Sequence, residues 1–152
     1  MKKIILTLST VFSIAFSACG HSCPSIFGEW QSSKELSYEY AKSAEGITEN
    51  QLEFISQAFG YLKFTYYPKY ALQHATPEFP IIINGKNHPM SFEEMHQKVK
   101  YLKCTKELVI VKFITGKKEF EIMELHFVNE NTFWVSSGSK IREYFIRNKE
   151  HA

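Results

Sequence analysis

The residues in this chain that could do chemistry are cysteine, histidine, glutamate and serine, and their spacing limits what they could do. The six histidines stand at positions 21, 74, 88, 96, 126 and 151. No two are separated by the two or four residues that put a pair of metal ligands on one face of a strand or helix, so no metal site is expected. His126 lies between Leu125 and Phe127, opposite that apolar row, and is expected to face solvent; His88 and His96 fall in a connector around Pro89 and Met90. All 16 acidic residues are glutamate. A chain without aspartate cannot build EF-hand loops, aspartyl dyads, Ser-His-Asp triads or Asp-held magnesium sites. Glu93 and Glu94 are adjacent and cannot share a helix face, which argues against paired-carboxylate catalysis. Ser136-Ser137-Gly138-Ser139 is a turn by composition, and neither a Gly-x-Ser-x-Gly elbow nor a glycine-rich phosphate loop occurs. Cys104 is a nucleophile or half of a disulfide, and the second is the stronger expectation. The expectation is a non-enzyme with no cofactor.

The N-terminus carries a different kind of chemistry. Lys2 and Lys3 precede a charge-free apolar run, Ile4 to Phe16, which ends in Phe16-Ser17-Ala18-Cys19-Gly20. A basic start, an apolar stretch and a small-residue exit are the parts of a secretory signal peptide. The run is shorter than the roughly 20 residues of a membrane span. Ser17 and Ala18 directly before Cys19 resemble a bacterial lipobox, with Phe16 where leucine is usual. That resemblance implies a signal peptide over residues 1–18, lipidation at Cys19 and a bacterial envelope lipoprotein held to the membrane by its N-terminal lipid. Gly20, where some enterobacterial lipoproteins carry an acidic residue, implies by the same resemblance an outer-membrane location facing the periplasm. Ala15-Phe16-Ser17 also fits the small-x-small pattern of ordinary secretory cleavage, which would release a soluble protein. A buried N-terminal helix of a cytosolic protein is the third reading.

Removing residues 1–18 takes away two of the 18 basic residues and none of the 16 acidic ones, which leaves the mature chain without net charge. A nucleic-acid partner, which needs a strongly basic face, is therefore not expected. With 44% hydrophobic and 15% aromatic residues, the chain can fill a core of ordinary domain size. Once Cys19 carries a lipid, Cys23 and Cys104 are left as an even pair in an oxidising compartment, where a disulfide is expected.

The elements that must position these groups read as mainly β. Residues 19–25 form a tether ending near Pro24, and residues 26–152 form a single domain. Phe27 to Ser33 is the first strand, and Glu35 to Lys42 is ambiguous between strand and helix. Thr48 with Gln51 forms a capping box, Leu52, Ile55 and Phe59 follow at helical spacing, and Gly60 is a C-terminal stop, so one helix is expected near 49–59. Leu62, Phe64 and Tyr66 then alternate as a strand ended by Pro68, with Tyr70 to His74 as its hairpin partner. Ile81 to Ile83 is a short strand before an Asn84-Gly85 turn. Ser91 to Glu94 matches a capping box, so a single helical turn is expected there. From Lys98 onward a meander of strands ends with Ile141 to Arg147. In it, Phe120 and Ile122 share one face while Met123, Leu125 and Phe127 share the other, and a β-bulge near Ile122-Met123 is expected to reconcile them.

Gly28-Glu29-Trp30 at the head of the first strand, with basic residues on the last, resembles the lipocalin-like barrels. The resemblance implies an antiparallel up-and-down barrel, here with one inserted α-helix, whose end is closed by Trp30 under an arginine, Arg147 or Arg142. It also implies an apolar cavity for a small apolar ligand or lipid. Tyr61, Tyr66, Tyr67 and Tyr70 crowd together with Phe64, either as cross-strand pairs lining the barrel or as an aromatic surface. Two functions follow. One is a lipid-anchored binding module with a cavity lined by Phe64, Val111 and Phe127. The other is an anchored protein-interaction or inhibitor lipoprotein, such as an immunity protein against a periplasm-directed toxin, with a packed barrel and an exposed surface around Tyr66, Tyr67 and Tyr70.

Overall fold

The computed structural model describes residues 23–116, 119–138 and 140–148. The signal-peptide and lipobox readings, with Cys19, lie outside the described residues.

Ten strands and two helices follow in the order β1 (Gly28–Ser33), α1 (Lys34–Ser43), α2 (Glu49–Ala58), β2 (Lys63–Tyr66), β3 (Tyr70–Gln73), β4 (Phe79–Ile83), β5 (Lys86–Met90), β6 (Met95–Cys104), β7 (Leu108–Ile114), β8 (Phe120–Asn129), β9 (Thr132–Ser136) and β10 (Arg142–Arg147). Eight of the strands close into an antiparallel barrel ordered β1-β10-β9-β8-β7-β6-β3-β2, and β4-β5 forms a separate hairpin. Apart from that hairpin excursion, each strand pairs with its sequence neighbour and the last with the first. This is the up-and-down architecture that the lipocalin-like resemblance implies.

Where the sequence was ambiguous, the chain is helical, so two helices are inserted and not one. Lys34–Ser43 contains no glycine, proline or β-branched residue, and Ser33 caps it by accepting a hydrogen bond from the Leu36 N–H at 3.3 Å. The hydroxyl of Ser37 donates to the Ser33 carbonyl at 2.7 Å and accepts from the Tyr144 N–H at 2.9 Å. One serine thus satisfies the β10 amide at the point where β1 leaves the sheet to become α1. The capping box of α2 forms as read, with the Gln51 N–H on Thr48 Oγ1 at 3.3 Å and the Thr48 N–H on Gln51 Oε1 at 2.9 Å. Gly60, at φ +96°, ends it.

The helical turn expected at Ser91–Glu94 does not form. The Phe92 N–H is taken by Thr76 Oγ1 at 2.9 Å and the Phe92 carbonyl by the Thr76 N–H at 2.9 Å, so this segment is stitched to the extended chain before β4. Ile81–Ile83 gains a partner in β5 through the Asn84-Gly85 turn, both of whose residues have positive φ. Nor is there a bulge at Ile122-Met123. β8 pairs with β7 without interruption from Phe120↔Ile114 to His126↔Leu108, and the register shifts lie at Tyr101/Lys103 and Phe127/Asn129. Met123, Leu125 and Phe127 therefore face inward in one phase, and Phe120 and Ile122 stay outside.

The barrel interior is an aromatic column. Trp30 touches Phe133 (ring centroids 4.6 Å apart), Phe133 stacks on Phe145 (5.2 Å), and Phe145 meets Phe64 (6.0 Å), which meets Tyr66 (5.9 Å). A second core of Ala41, Ile55, Phe59, Phe79 and Ile81 joins the two helices to the β4-β5 hairpin, where Tyr61 stacks on Phe79 at 3.7 Å.

At one end of the barrel the Arg147 guanidinium lies 4.3 Å above the Trp30 ring. The same guanidinium donates to the carbonyls of Phe27 (2.7 Å), Ser25 and Glu130 (3.2 Å), so it also holds the entering chain. Trp30 Nε1 donates to the Ile26 carbonyl at 2.7 Å, leaving this fully buried indole satisfied. Gly28 has φ +112°, and a Cβ there would sit 3.2 Å from an Arg147 nitrogen, so glycine is needed for both reasons. The Cys23–Cys104 disulfide, with Cα atoms 5.7 Å apart, pins the tether to the end of β6.

Trp30→Ala is expected to lose about 3–5 kcal/mol and Arg147→Ala about 1–2 kcal/mol. A double-mutant cycle by urea denaturation should show the two to be coupled; additive effects would mean the stacked geometry contributes no energy. Reduction of the disulfide, which closes a loop with a sequence separation of 81, is expected to lower stability by about 3–5 kcal/mol without loss of the barrel. An unchanged denaturation midpoint in reductant would contradict that.

Candidate functional site

The residues singled out in the sequence are not brought to one place. Phe64 and Tyr66 point into the barrel from β2, and they line a cavity of about 160 Å³ together with Leu62, Met123, Phe133, Val135, Ser136, Ser137, Glu143 and Phe145. Val111 and Phe127, expected to line the same cavity, do not. Val111 is fully buried in the core, and Phe127 packs edge-on against Trp30 at 6.0 Å. Tyr67 and Tyr70 lie outside the barrel and stack on each other at 4.3 Å. Arg142 does not approach Trp30; it lies 3.9 Å over Trp134 and 4.4 Å over Tyr40 on the outer wall. His126 stacks on that same Trp134 at 4.0 Å, so it is half-covered and not freely solvated.

Glu143 is the group that the sequence reading passed over. It comes from β10, on the inward face two residues before Phe145, and is 8% exposed. Ser32 Oγ donates to its Oε1 at 2.6 Å and itself accepts from the Gly60 N–H at 3.0 Å. Burial pushes the carboxyl above its ordinary value, and the Ser32 hydrogen bond only partly opposes this. Among the described residues no lysine or arginine pairs with it. Its counterpart at the other end, Glu29, is held below its ordinary value. Burial works against ionisation there too, but hydrogen bonds from Lys63 (2.8 Å) and Asn148 (2.6 Å) outweigh it. Burial also raises Tyr66, and it pushes Tyr101 up to about 12, while the Tyr101 hydroxyl donates to the Tyr67 carbonyl at 2.8 Å.

A larger surface trough, about 760 Å³, lies beside Cys23 between the tether and residues 106–107 and 128–131. Among the described residues no group of three His, Cys or Glu is placed to hold a metal ion.

The outer wall carries the other concentration of exposed side chains. Tyr70 of β3 pairs with Lys98 of β6, Lys98 with Ile114 of β7, and Ile114 with Phe120 of β8, so these four form one row across four strands. Tyr70 and Ile114 are each 40% exposed, Phe120 is 53% exposed and Ile122 beside it 52%. Directly paired residues stand about 5 Å apart, so the row is a continuous surface. Lys98 lies within it, and Lys100 and Lys112 form the next pair along β6 and β7, with Lys112 Nζ 3.6 Å over the Phe120 ring. The signal for this surface was present in the sequence, in the out-of-phase pair Phe120 and Ile122.

The chain matches no family model, no curated protein and no solved structure.

The two carboxylates predict opposite responses to pH. Glu143 has a raised folded value, so its contribution to stability is present below the ordinary 4.5 and is lost as pH rises through the folded value. Glu143→Gln is therefore expected to flatten the fall in stability that wild type shows between pH 4.5 and the folded value. Glu29, being lowered, contributes above 4.5 and loses that contribution in acid. Urea denaturation across a pH series checks both, and parallel curves for wild type and Glu143→Gln would contradict the assignment.

Proposed function

We propose that the mature domain is a non-enzymatic, lipid-anchored envelope module that acts by binding a protein partner through the outer wall of β3, β6, β7 and β8. The exposed Tyr70-Lys98-Ile114-Phe120 row carries this reading. Apolar and aromatic side chains at the centre of a patch with charges around it have the anatomy of a protein interface. Lys98, Lys100 and Lys112 lie in and beside the row, so a partner with acidic groups opposite them fits it. An anchored inhibitor, such as an immunity protein facing a periplasm-directed toxin, is the form of this function that the lipobox and the surface together suggest.

Binding of a lipid-sized ligand is less well supported. Ligand pockets are commonly about 300–1,000 Å³, and the cavity inside the barrel, about 160 Å³, is what the aromatic column leaves over. The lipid anchor rests on the resemblance of residues 16–19 to a lipobox, with Cys19 as the lipidated residue. Cys19→Ser should shift the protein out of the membrane fraction.

A photo-crosslinking residue at Phe120 is expected to give a discrete protein adduct in envelope preparations. The same residue at Glu39 on α1 should give none. The pair Ile114→Glu and Phe120→Glu should abolish adducts formed from position 70 while leaving the melting temperature nearly unchanged, because both side chains are already exposed. Equal adducts from positions 39 and 120, or none at 120, would overturn the reading.

A further inference from the structure

The cavity beneath Glu143 is a second feature, independent of the outer wall. Its apolar wall is formed by Phe64, Phe133 and Phe145 with Met123 and Val135, and Glu143 stands at its polar side with Ser136 and Ser137. The volume, about 160 Å³, is close to that of an apolar cavity of about 150 Å³ known to accept benzene.

The hydrogen-bond arrangement shows which part of that carboxyl is open. The Ser32 hydroxyl has one proton. Its oxygen already accepts the Gly60 N–H, and the proton goes to Glu143 Oε1. Oε2 has no protein partner among the described residues, and no buried side-chain oxygen among them is left unsatisfied, so Oε2 reaches solvent at the mouth of the cavity. Ser32 therefore orients the carboxyl and leaves one oxygen able to accept a donor at the cavity. The phenyl rings of the opposing wall give an apolar stem its contacts.

We propose that this cavity binds a small primary ammonium compound with a compact aromatic or branched apolar stem, its ammonium on Glu143 Oε2 and its stem among Phe64, Phe133 and Phe145. A neutral molecule of the same shape gains the apolar contacts but leaves the carboxyl without its cation. A larger lipid does not fit.

The test uses benzylamine as the probe and benzyl alcohol as its uncharged match, titrated into the purified protein near neutral pH and followed by NMR. Benzylamine is expected to bind about tenfold or more tightly than benzyl alcohol, as a charge-assisted hydrogen bond is stronger than a neutral one. It should show intermolecular NOEs to the Met123 and Val135 methyl groups. In Glu143→Gln the preference should vanish while benzyl alcohol binding persists. In Val135→Phe, which fills the cavity and keeps the carboxyl, both should be lost. No benzylamine binding at millimolar concentration, equal binding of the two probes to wild type, or bound benzylamine without those NOEs would each overturn the proposal. The wild-type outcomes decide it even if a variant fails to fold.

Discussion

The grip of Arg147 on Trp30 and on the entering chain is the interaction on which the rest of the barrel depends. Closure requires β1 to pair with β10, strands from opposite ends of the domain, and such pairing must offset a large loop-closure entropy. Trp30 and Arg147 are direct partners across that seam. The indole fills the closed end, and the guanidinium covers it while donating to the carbonyls of residues 25, 27 and 130. Gly28 makes room for the approach, and Asn148 extends the seam by donating its backbone N–H to the Glu29 carbonyl at 2.9 Å. The disulfide from Cys23 then fixes the same segment to β6, so the tether is held at two points before the barrel begins.

Filling that end with tryptophan has a consequence for the interior. Phe133, Phe145, Phe64 and Tyr66 continue the column from Trp30 along the barrel axis, and each large ring removes volume that a wide barrel would leave for a ligand. What remains is a pocket of benzene size at the Glu143 side. The wall is not uniform. One side is covered by α1 and by the stack of His126, Trp134, Arg142 and Tyr40, whereas the side of β3, β6, β7 and β8 leaves Tyr70, Ile114 and Phe120 open.

Much of this was legible in the sequence, and what was not has identifiable causes. The period-two strands, the α2 capping box and the Asn84-Gly85 turn depend on local chemistry, so they could be read residue by residue. An arginine over Trp30 was implied by the lipocalin-like resemblance, which named Arg147 or Arg142, and the disulfide pair followed from the count of thiols. Lys34–Ser43 was ambiguous because its helix depends on Ser33 as a cap and on Ser37 reaching the Tyr144 amide, a contact 107 residues away. Ser91–Glu94 carried a helix-start signal that a backbone pair with Thr76 overrode. The mismatch of Phe120 and Ile122 with Met123, Leu125 and Phe127 invited a bulge because apolar residues were assumed to be inside. They are outside. Alternation put Glu143 on the face of Phe145 and Arg147, but it could not show that the carboxyl meets a cavity and not packed core.

Hydrogen exchange measured by mass spectrometry on Arg147→Lys tests the central claim most directly. Lysine keeps the charge but cannot lie flat on the indole while holding three carbonyls with a planar fork. The account predicts faster exchange confined to peptides covering residues 23–33 and 142–148, with β6, β7 and β8 protected as in wild type. Unchanged exchange at the seam, or acceleration spread evenly over the barrel, would contradict it.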